Sequence, residues 1–514
     1  MGWVYEDVER EDFTRQYKDR ILLKRMWKFL FPFKRPFIIV SIAIITSSLL
    51  AIFAPIILSL TVDIFDKNSQ ETNILLIGGF IYLIINIASF GTYFVQNYTW
   101  GKLIPDFMVN LRVAIFQSFQ KQDMKFFDTK QSGNLSNRVG SDASHSADIV
   151  SLLSNFSGQI LLIILSFFVL FVVSPFLSVI VLFIVPFIIG FTLLFRRLAR
   201  NASREYRKSE AAVNSSIAEA VEGIQVAKSY GRENEVLEKF QEINLYNYRS
   251  GLKQILIMLA LFPTLDLFLM ISTWMVLEFG GGAAIAGQFG LNGANLYLFI
   301  MYLNTFFYPI MNISAFYGQL QSGFASFERI LTVLDAEPEV KQNNSIQVNN
   351  INGEIQFENV SFYYKENEPV FQNFNLHIRP GEKLAIVGHT GAGKSTIVNL
   401  IARFYEFQGG KITIDGIDIR NLELKSYMKQ LGIVQQDPFL FAGTVEDNIR
   451  YGKFDATNEE IMNVIKAVKV DEVLKFLPDG LNTDVQERGR RLSTGQRQLV
   501  CFARALLSNP KILI

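Results

Sequence analysis

The sequence predicts an α-helical membrane domain of six spans with long helical extensions on one side of the bilayer, joined to a soluble α/β domain. Three observations predict it. Half of the 514 residues are hydrophobic and only 19% are charged, against about 25% in ordinary soluble domains. The first 330 residues hold five long stretches with almost no charge. From Ile351 onward the pattern changes to short β-rich runs, turns and amphipathic helices. Lys plus Arg (49) balance Asp plus Glu (48) to within one charge, so no basic field points to nucleic acid. The single cysteine, Cys501, leaves neither an intrachain disulfide nor a Cys-based zinc cluster open. His145, His377 and His389 are too scattered to suggest a metal site.

The spans follow from the cost of placing an ion in hydrocarbon and the need for about 20 apolar residues to cross it. Between Arg35 and Asp63 lie 27 uncharged residues, between Glu71 and Lys102 lie 30, and between Asp148 and Arg196 lie 47. At about 1.5 Å per residue the third stretch would exceed twice a core of roughly 30 Å, so it folds back at Ser174-Pro175. A fifth span between Lys253 and Glu278 is interrupted only by Asp266. The 49 uncharged residues between Glu278 and Glu328 supply the sixth, their Gly-rich beginning up to Gly293 reading as a loop. The predicted spans are 36–62, 74–98, 150–173, 176–195, 255–278 and 294–316.

Basic residues set the orientation. Lys24, Arg25, Lys28, Lys34 and Arg35 precede the first span, and Arg196, Arg197, Arg200 and Arg204 follow the fourth. The opposite loops carry only Lys67. Both termini are therefore expected in the cytoplasm. The acidic N-terminus is neither a signal peptide nor a transit peptide, and Leu22, Leu23, Trp27 and Phe31 among basic residues read as an interfacial helix over 17–37. The connections Lys102–Asp148 and Arg196–Lys253 are helical in pattern and too long for ordinary loops. Each is expected to project roughly 30 Å from the membrane as an antiparallel pair. The predicted boundaries are 1–335 for the membrane domain, 336–350 for a polar linker and 351–514 for the soluble domain.

The strongest chemical signal is Gly388-His-Thr-Gly-Ala-Gly393-Lys394-Ser395, which fits G-x-x-x-x-G-K-[ST] between an expected strand, Lys383–Val387, and an expected helix, Ser395–Arg403. Glycines let the backbone wrap around phosphates, and successive N–H groups and the helix N-terminus face the negative charge. Lys394 reaches the β and γ oxygens, and Ser395 offers a hydroxyl to Mg²⁺. Gly388, Thr390, Gly391, Ala392, Gly393, Lys394, Ser395 and Thr396 are thus the predicted ATP-binding residues. His389 reads as an exposed loop position.

Three further motifs resemble those of ABC ATPases. Arg491-Leu-Ser-Thr-Gly-Gln-Arg-Gln498 resembles the signature motif, Val434-Gln-Gln-Asp-Pro-Phe-Leu-Phe441 the Q-loop, and Val360-Ser-Phe-Tyr-Tyr364 the A-loop. The membrane half is similar to the exporter branch. Leu111-Arg112, Gln122-Asp-Met-Lys-Phe-Phe-Asp128, Gly133, Leu135, Arg138 and Asp142 resemble its first intracellular loop. Asn214, Glu219, Gly223-Ile224, Lys228 and Glu233 resemble the second. The resemblance implies a half-transporter working as a homodimer or heterodimer in the cell membrane, multi-pass, with its N-terminus and nucleotide-binding domain in the cytoplasm.

It also implies roles. Tyr364 stacks on adenine, with Tyr363 as fallback and core packing as the alternative. Gln436 senses Mg²⁺ and the attacking water, as catalytic and metal residue beside the metal ligand Ser395. Ser493, Gly495 and Gln496 contact the γ-phosphate held by the other subunit's Lys394 loop. Asp484–Gly489 resembles the loop that reports nucleotide state, with Gln486 where Gly is usual. The signature has Thr494 where Gly is usual. Lys511–Ile514 resembles the start of the Walker B strand, and its aspartate, the catalytic glutamate, the D-loop and the switch histidine do not follow. A fragment that binds ATP weakly without hydrolysing it is therefore expected, with the intact protein as the ATP-hydrolysing, transporting unit.

The implied activity is ATP-driven export by alternating access, relayed near Phe126-Phe127 and Tyr230-Gly231. A channel or regulatory subunit of the same architecture is the alternative. Tyr297, Phe299, Tyr302, Phe306, Phe307 and Tyr308 on the sixth span read either as surface for a hydrophobic or amphipathic substrate or as packing. Asp266 reads either as a site for a substrate cation or proton, or as a hydrogen-bonding group within the bundle.

Overall fold

The computed structural model describes residues 17–67, 72–130, 132–289, 291–342 and 346–514. The acidic stretch before Tyr17, the loop residues 68–71 and the linker residues 343–345 lie outside them. The chain forms two compact units, one of residues up to Phe116 together with Asn137–Leu334, the other of Gln117–Ser136 together with Asp335–Ile514.

The first unit is helical. Helix α1 (Asp19–Leu30) buries Leu22, Met26 and Leu30 at four-residue spacing, one face of a helix, while Leu23, Trp27 and Phe31 are exposed. A short 3₁₀ turn leads into α2 (Lys34–Lys67), followed by α3 (Thr72–Lys121). The short helices α4 (Met124–Thr129) and, but for its last residue, α5 (Ser132–Asn137) belong to the second unit, and after a π turn over Arg138–Asp142 the first unit continues with α6 (Ala143–Val173). The fold-back falls where length demanded it. Ser174 is extended, its Oγ accepts from the Leu177 N–H at 3.4 Å, and Pro175 opens α7 (Pro175–Glu222), where its missing N–H costs nothing. Then come α8 (Ile224–Ser229), α9 (Glu233–Met275), α10 (Gly281–Ile285) and α11 (Gly293–Leu334).

Among the described residues, five helical segments are long and apolar enough to cross a membrane, and α11, with 42 residues, is the sixth long helix. At 50, 48 and 43 residues, α3, α7 and α9 run to about 65–75 Å, more than twice a bilayer core. The excess of α7 and α9 pairs antiparallel. Ser209 donates to Asn247 at 2.9 Å, and Lys253 to Glu205 at 2.7 Å.

One expectation is corrected in this unit. The Gly-rich stretch after Glu278 is not all loop, because a π turn over Val276–Gly280 carries α9 into α10. A helix keeps its backbone groups paired in an apolar setting. Gly280 packs so tightly that a Cβ there would lie 2.7 Å from Leu296. For the aromatic residues of the sixth span, four of the six follow the packing alternative. Phe299, Tyr302, Phe306 and Phe307 are buried in the helical core with Leu177, Val181 and Val276, and the Tyr302 hydroxyl donates to the Ile52 carbonyl. Packing accounts for all four. Tyr308 is exposed and Tyr297 half-buried.

Asp142, at the end of the π turn, is buried and bonded to Arg138 at 2.9 Å and to the Arg329 guanidinium through both its oxygens. Burial opposes its charge, but the two arginines prevail and hold its carboxyl below the usual range.

In the second unit, β1 (Ile355–Tyr363) pairs antiparallel with β2 (Pro369–Ile378), then with β3 (Gly409–Ile414), which pairs with β4 (Ile417–Asp418). Ile355 stands opposite Ile378 and Ile414, and Phe357, Val360 and Phe362 point to one core under α12 (Lys394–Ile401). Helix α13 (Leu424–Met428) precedes the parallel pair of β5 (Leu431–Gly432) with β6 (Ile512–Leu513). A second core joins α14 (Val445–Arg450), α15 (Asn458–Val468) and α17 (Thr494–Leu507), with α16 (Val470–Leu474) between the last two in sequence. The expected strand Lys383–Val387 is not in a ladder and Val387 is 89% exposed. Its apolar run alone does not make a strand, since no described segment hydrogen-bonds beside it.

Candidate nucleotide-binding site

The phosphate-loop sequence takes the conformation its residues require. Gly391 and Gly393 both adopt φ of +86°, and a Cβ on Gly393 would meet the Phe371 ring at 2.8 Å, so only glycine fits there. Gly393 caps α12, leaving the first N–H groups of that helix facing outward without intrahelical partners. Lys394 Nζ donates to the carbonyls of Gly388 and His389, each at 2.8 Å, which holds the ammonium over the loop. Gly388, His389, Thr390 and Ala392 are exposed, Thr396 is buried, and the Ser395 hydroxyl is exposed without a hydrogen-bond partner among the described residues. An exposed cradle of backbone donors with one ammonium over it suits a polyphosphate.

Tyr364 lies against this helix. Its hydroxyl donates to Thr396 Oγ1 and accepts from Asn399 Nδ2, both at 3.2 Å. Its ring meets Phe362 and Tyr405 edge-on at 4.8 and 5.0 Å, and 38% of the residue stays exposed. It therefore presents a fixed aromatic surface beside the phosphate loop. Tyr363 pairs with Pro369 at the end of β1 instead.

The signature segment begins a helix. Ser493 is the N-cap of α17, and Ser493 and Gln496 form a reciprocal capping box, Ser493 N–H donating to Gln496 Oε1 at 2.8 Å. Space around Gly495 is open. Thr494 Oγ1 accepts from Arg497 at 3.1 Å. Gln436 lies past β5 with an exposed side chain that makes no hydrogen bond among the described residues. The structure thus brings Tyr364, Thr396 and the Lys394 loop together, and no hydrogen bond joins Gln436 or Ser493–Gln496 to them.

Sequence reasoning missed Tyr405. Its hydroxyl donates to Asp128, while its ring touches Tyr364; burial first, then Asp128, pushes its phenol above the ordinary range. Asp123, which caps α4, accepts from the Glu339 N–H at 2.7 Å, and Gln122 donates to the Ala336 carbonyl at 2.8 Å. Lys125 pairs with Glu339. The segment around α4 is thereby fastened to the chain entering the α/β domain and, through Tyr405, to Tyr364. A Tyr in Arg403-Phe-Tyr-Glu406 carries no local sign of a partner 277 residues away.

These features define a P-loop nucleotide-binding domain in one chain with a bundle of membrane-length helices. Residues 37–310 match the family described as ABC transporter transmembrane region, and residues 371–514 the family described as ABC transporter. The chain belongs to the ABC transporters. It is 36% identical over 407 residues to the uncharacterized ABC transporter ATP-binding protein YknV of Bacillus subtilis, covering 79% of this chain and 67% of the relative. It is 30% identical over 511 residues to the putative multidrug export ATP-binding/permease protein YgaD of the same organism, covering 96% and 86%. It is 33% identical over 409 residues to a fatty acid ABC transporter ATP-binding/permease protein of Mycobacterium bovis, covering 79% and 64%. Membership in this family implies ATP binding, and ATP hydrolysis coupled to transport.

Proposed function

We propose that the chain is an exporter-type half-transporter, crossing the bilayer six times with its α/β domain in the cytoplasm of the cell, and that two such domains enclose ATP between them. The observation that carries this reading is the Lys394 loop with Tyr364 beside it, in one chain with helices long enough to cross a membrane and continue beyond it. Lys394 and the N–H groups opening α12 bind the phosphates, Ser395 and Gln436 hold Mg²⁺, and Tyr364 stacks on adenine. The Ser493–Gln496 end of α17 has outward N–H groups suited to the γ-phosphate on a second copy. Such head-to-tail sites come in pairs in a two-fold dimer. Mg²⁺ neutralises phosphate charge when bound; Gln436 orients water, and the loop glycines let the backbone approach.

Swinging an equilibrium between inward and outward states from 1:99 to 99:1 takes about 5.5 kcal/mol of differential binding, within the reach of two enclosed nucleotides. The substrate class best supported is hydrophobic or amphipathic, in line with the multidrug and fatty-acid transport named for two relatives. Asp266 bears on it. Its side chain is exposed on α9 and has no hydrogen-bond or ion-pair partner among the described residues, so bonding within its own bundle gains no support. An acid at that depth implies a cation, a proton or a wet cavity. Inside-out vesicles carrying the intact transporter test the reading. ATP should drive uphill accumulation of a fluorescent amphiphile; mere equilibration, as through a channel, would refute pumping.

A further inference from the structure

Helix α7 carries an arginine-lined groove where the proposed fourth span ends. Leu193, Leu194, Arg196, Arg197 and Arg200 line an open groove of about 500 Å³. Leu193, Arg196, Arg197 and Arg200 recur at i, i+3, i+4 and i+7 and share one helix face. Leu193 and Leu194 are exposed, as are Arg197, Arg200 and Arg204. Among the described residues those three arginines have no hydrogen-bond or ion-pair partner. The carboxylate within the basic run 196–208, Glu205, is occupied by Lys253 at 2.7 Å.

Depth gives the groove its meaning. From Pro175, about 20 residues at roughly 1.5 Å each cross a core of about 30 Å. Arg196, Arg197 and Arg200 then lie within about 8 Å beyond the hydrocarbon, where headgroup phosphates sit, and Leu193 and Leu194 lie just inside it. Arg207 and Lys208 stand roughly 18–20 Å beyond the core, past the headgroups.

We propose that Arg197 and Arg200, with the positive charge of Arg196 beside them, form a binding site for the phosphate of an acidic phospholipid of the cytoplasmic leaflet, with an acyl chain along Leu193 and Leu194. The site fits charge to charge: planar guanidinium groups fork onto phosphate oxygens, and the apolar pair lies at acyl depth. This rests on the membrane placement proposed above, which carbonate extraction checks separately, since an integral protein stays in the membrane pellet whether or not it holds the lipid.

The test is phosphatidylglycerol retention, measured by native mass spectrometry after purification from phosphatidylcholine nanodiscs containing phosphatidylglycerol. Arg197→Gln/Arg200→Gln should retain the lipid roughly 30-fold less than the parent, the equivalent of about 1 kcal/mol per arginine. The charge-matched control Arg207→Gln/Lys208→Gln should retain it as the parent does. Equal loss in both variants would mean diffuse attraction and overturn the site, and so would no loss in either. Dissociation of the purified dimer in the first variant alone would also overturn it, placing a second copy on this face.

Discussion

Tyr364 is held by two hydrogen bonds and two edge-on rings, so its exposed face is available at almost no conformational cost. Tyr364→Ala should weaken ATP binding by roughly 1–3 kcal/mol, about 5- to 150-fold by calorimetry, while Tyr364→Trp should keep most of it. Equal loss in both variants would assign Tyr364 to packing alone. Gln486 tells a different story. It sits at φ +60°, ψ −174°, a region that glycine alone occupies comfortably and that costs other residues about 1–3 kcal/mol. Its N–H bonds Asp484 at 2.9 Å and buried Val485 precedes it, which over-determines the strain. Even after the unfolded-state entropy that glycine adds, about 0.5–1 kcal/mol, Gln486→Gly should stabilise the domain by about 1 kcal/mol. A lowered thermal midpoint would contradict this. The sequence showed that Gln486 stands where glycine is usual in the resembling family; only the backbone angles show the consequence.

At the scale of elements, the Asp142 clasp and the α4 fastening carry the arguments. Removing one partner of a buried pair leaves the other charge uncompensated, at about 3–5 kcal/mol, so Asp142→Asn should lower the thermal midpoint more than Lys253→Gln, whose exposed pair with Glu205 contributes little. Because the Asp142 carboxyl is held below its ordinary range, its contribution is complete above the ordinary carboxylate pKa and is lost as pH falls through the lowered value. Acid should therefore narrow the gap between Asp142→Asn and the parent, and a gap that widens with acid would contradict the assignment. Tyr405→Phe keeps the ring against Tyr364 and removes the hydroxyl from Asp128. In the intact transporter it should leave ATP affinity within about twofold yet cut substrate stimulation of ATPase by roughly tenfold, the scale of a hydrogen bond to a charged group. Asp128→Asn should do the same, and the double variant no worse than either; additive losses would break the link. Much at this scale was legible because the bilayer forces it. A 47-residue uncharged stretch must fold back, and Ser174-Pro175 is where it does. Links between distant segments were not legible, since neither Arg329 with Asp142 nor Tyr405 with Asp128 leaves a local pattern. The apolar run 383–387 also misled, because strand formation depends on a neighbour.

For the whole molecule, the phosphate-binding half of the site was readable from spacing, because backbone wrapping around phosphate requires those glycines. The other half was readable only through resemblance, and among the described residues no hydrogen bond joins it to the Lys394 loop. The proposed function requires that nucleotide on the Lys394 loop of one copy be covered by the Ser493–Gln496 helix end of another. Cross-linking tests it most directly. The native thiol Cys501 is buried, and burial raises its pKa, so Cys501→Ala gives a quiet background for Thr390→Cys and Thr494→Cys on separate copies. ATP should raise disulfide formation between the two copies several-fold, with no rise when Lys394→Ala is present in both. Cross-linking that is indifferent to ATP, or that persists unchanged in Lys394→Ala, would contradict the account.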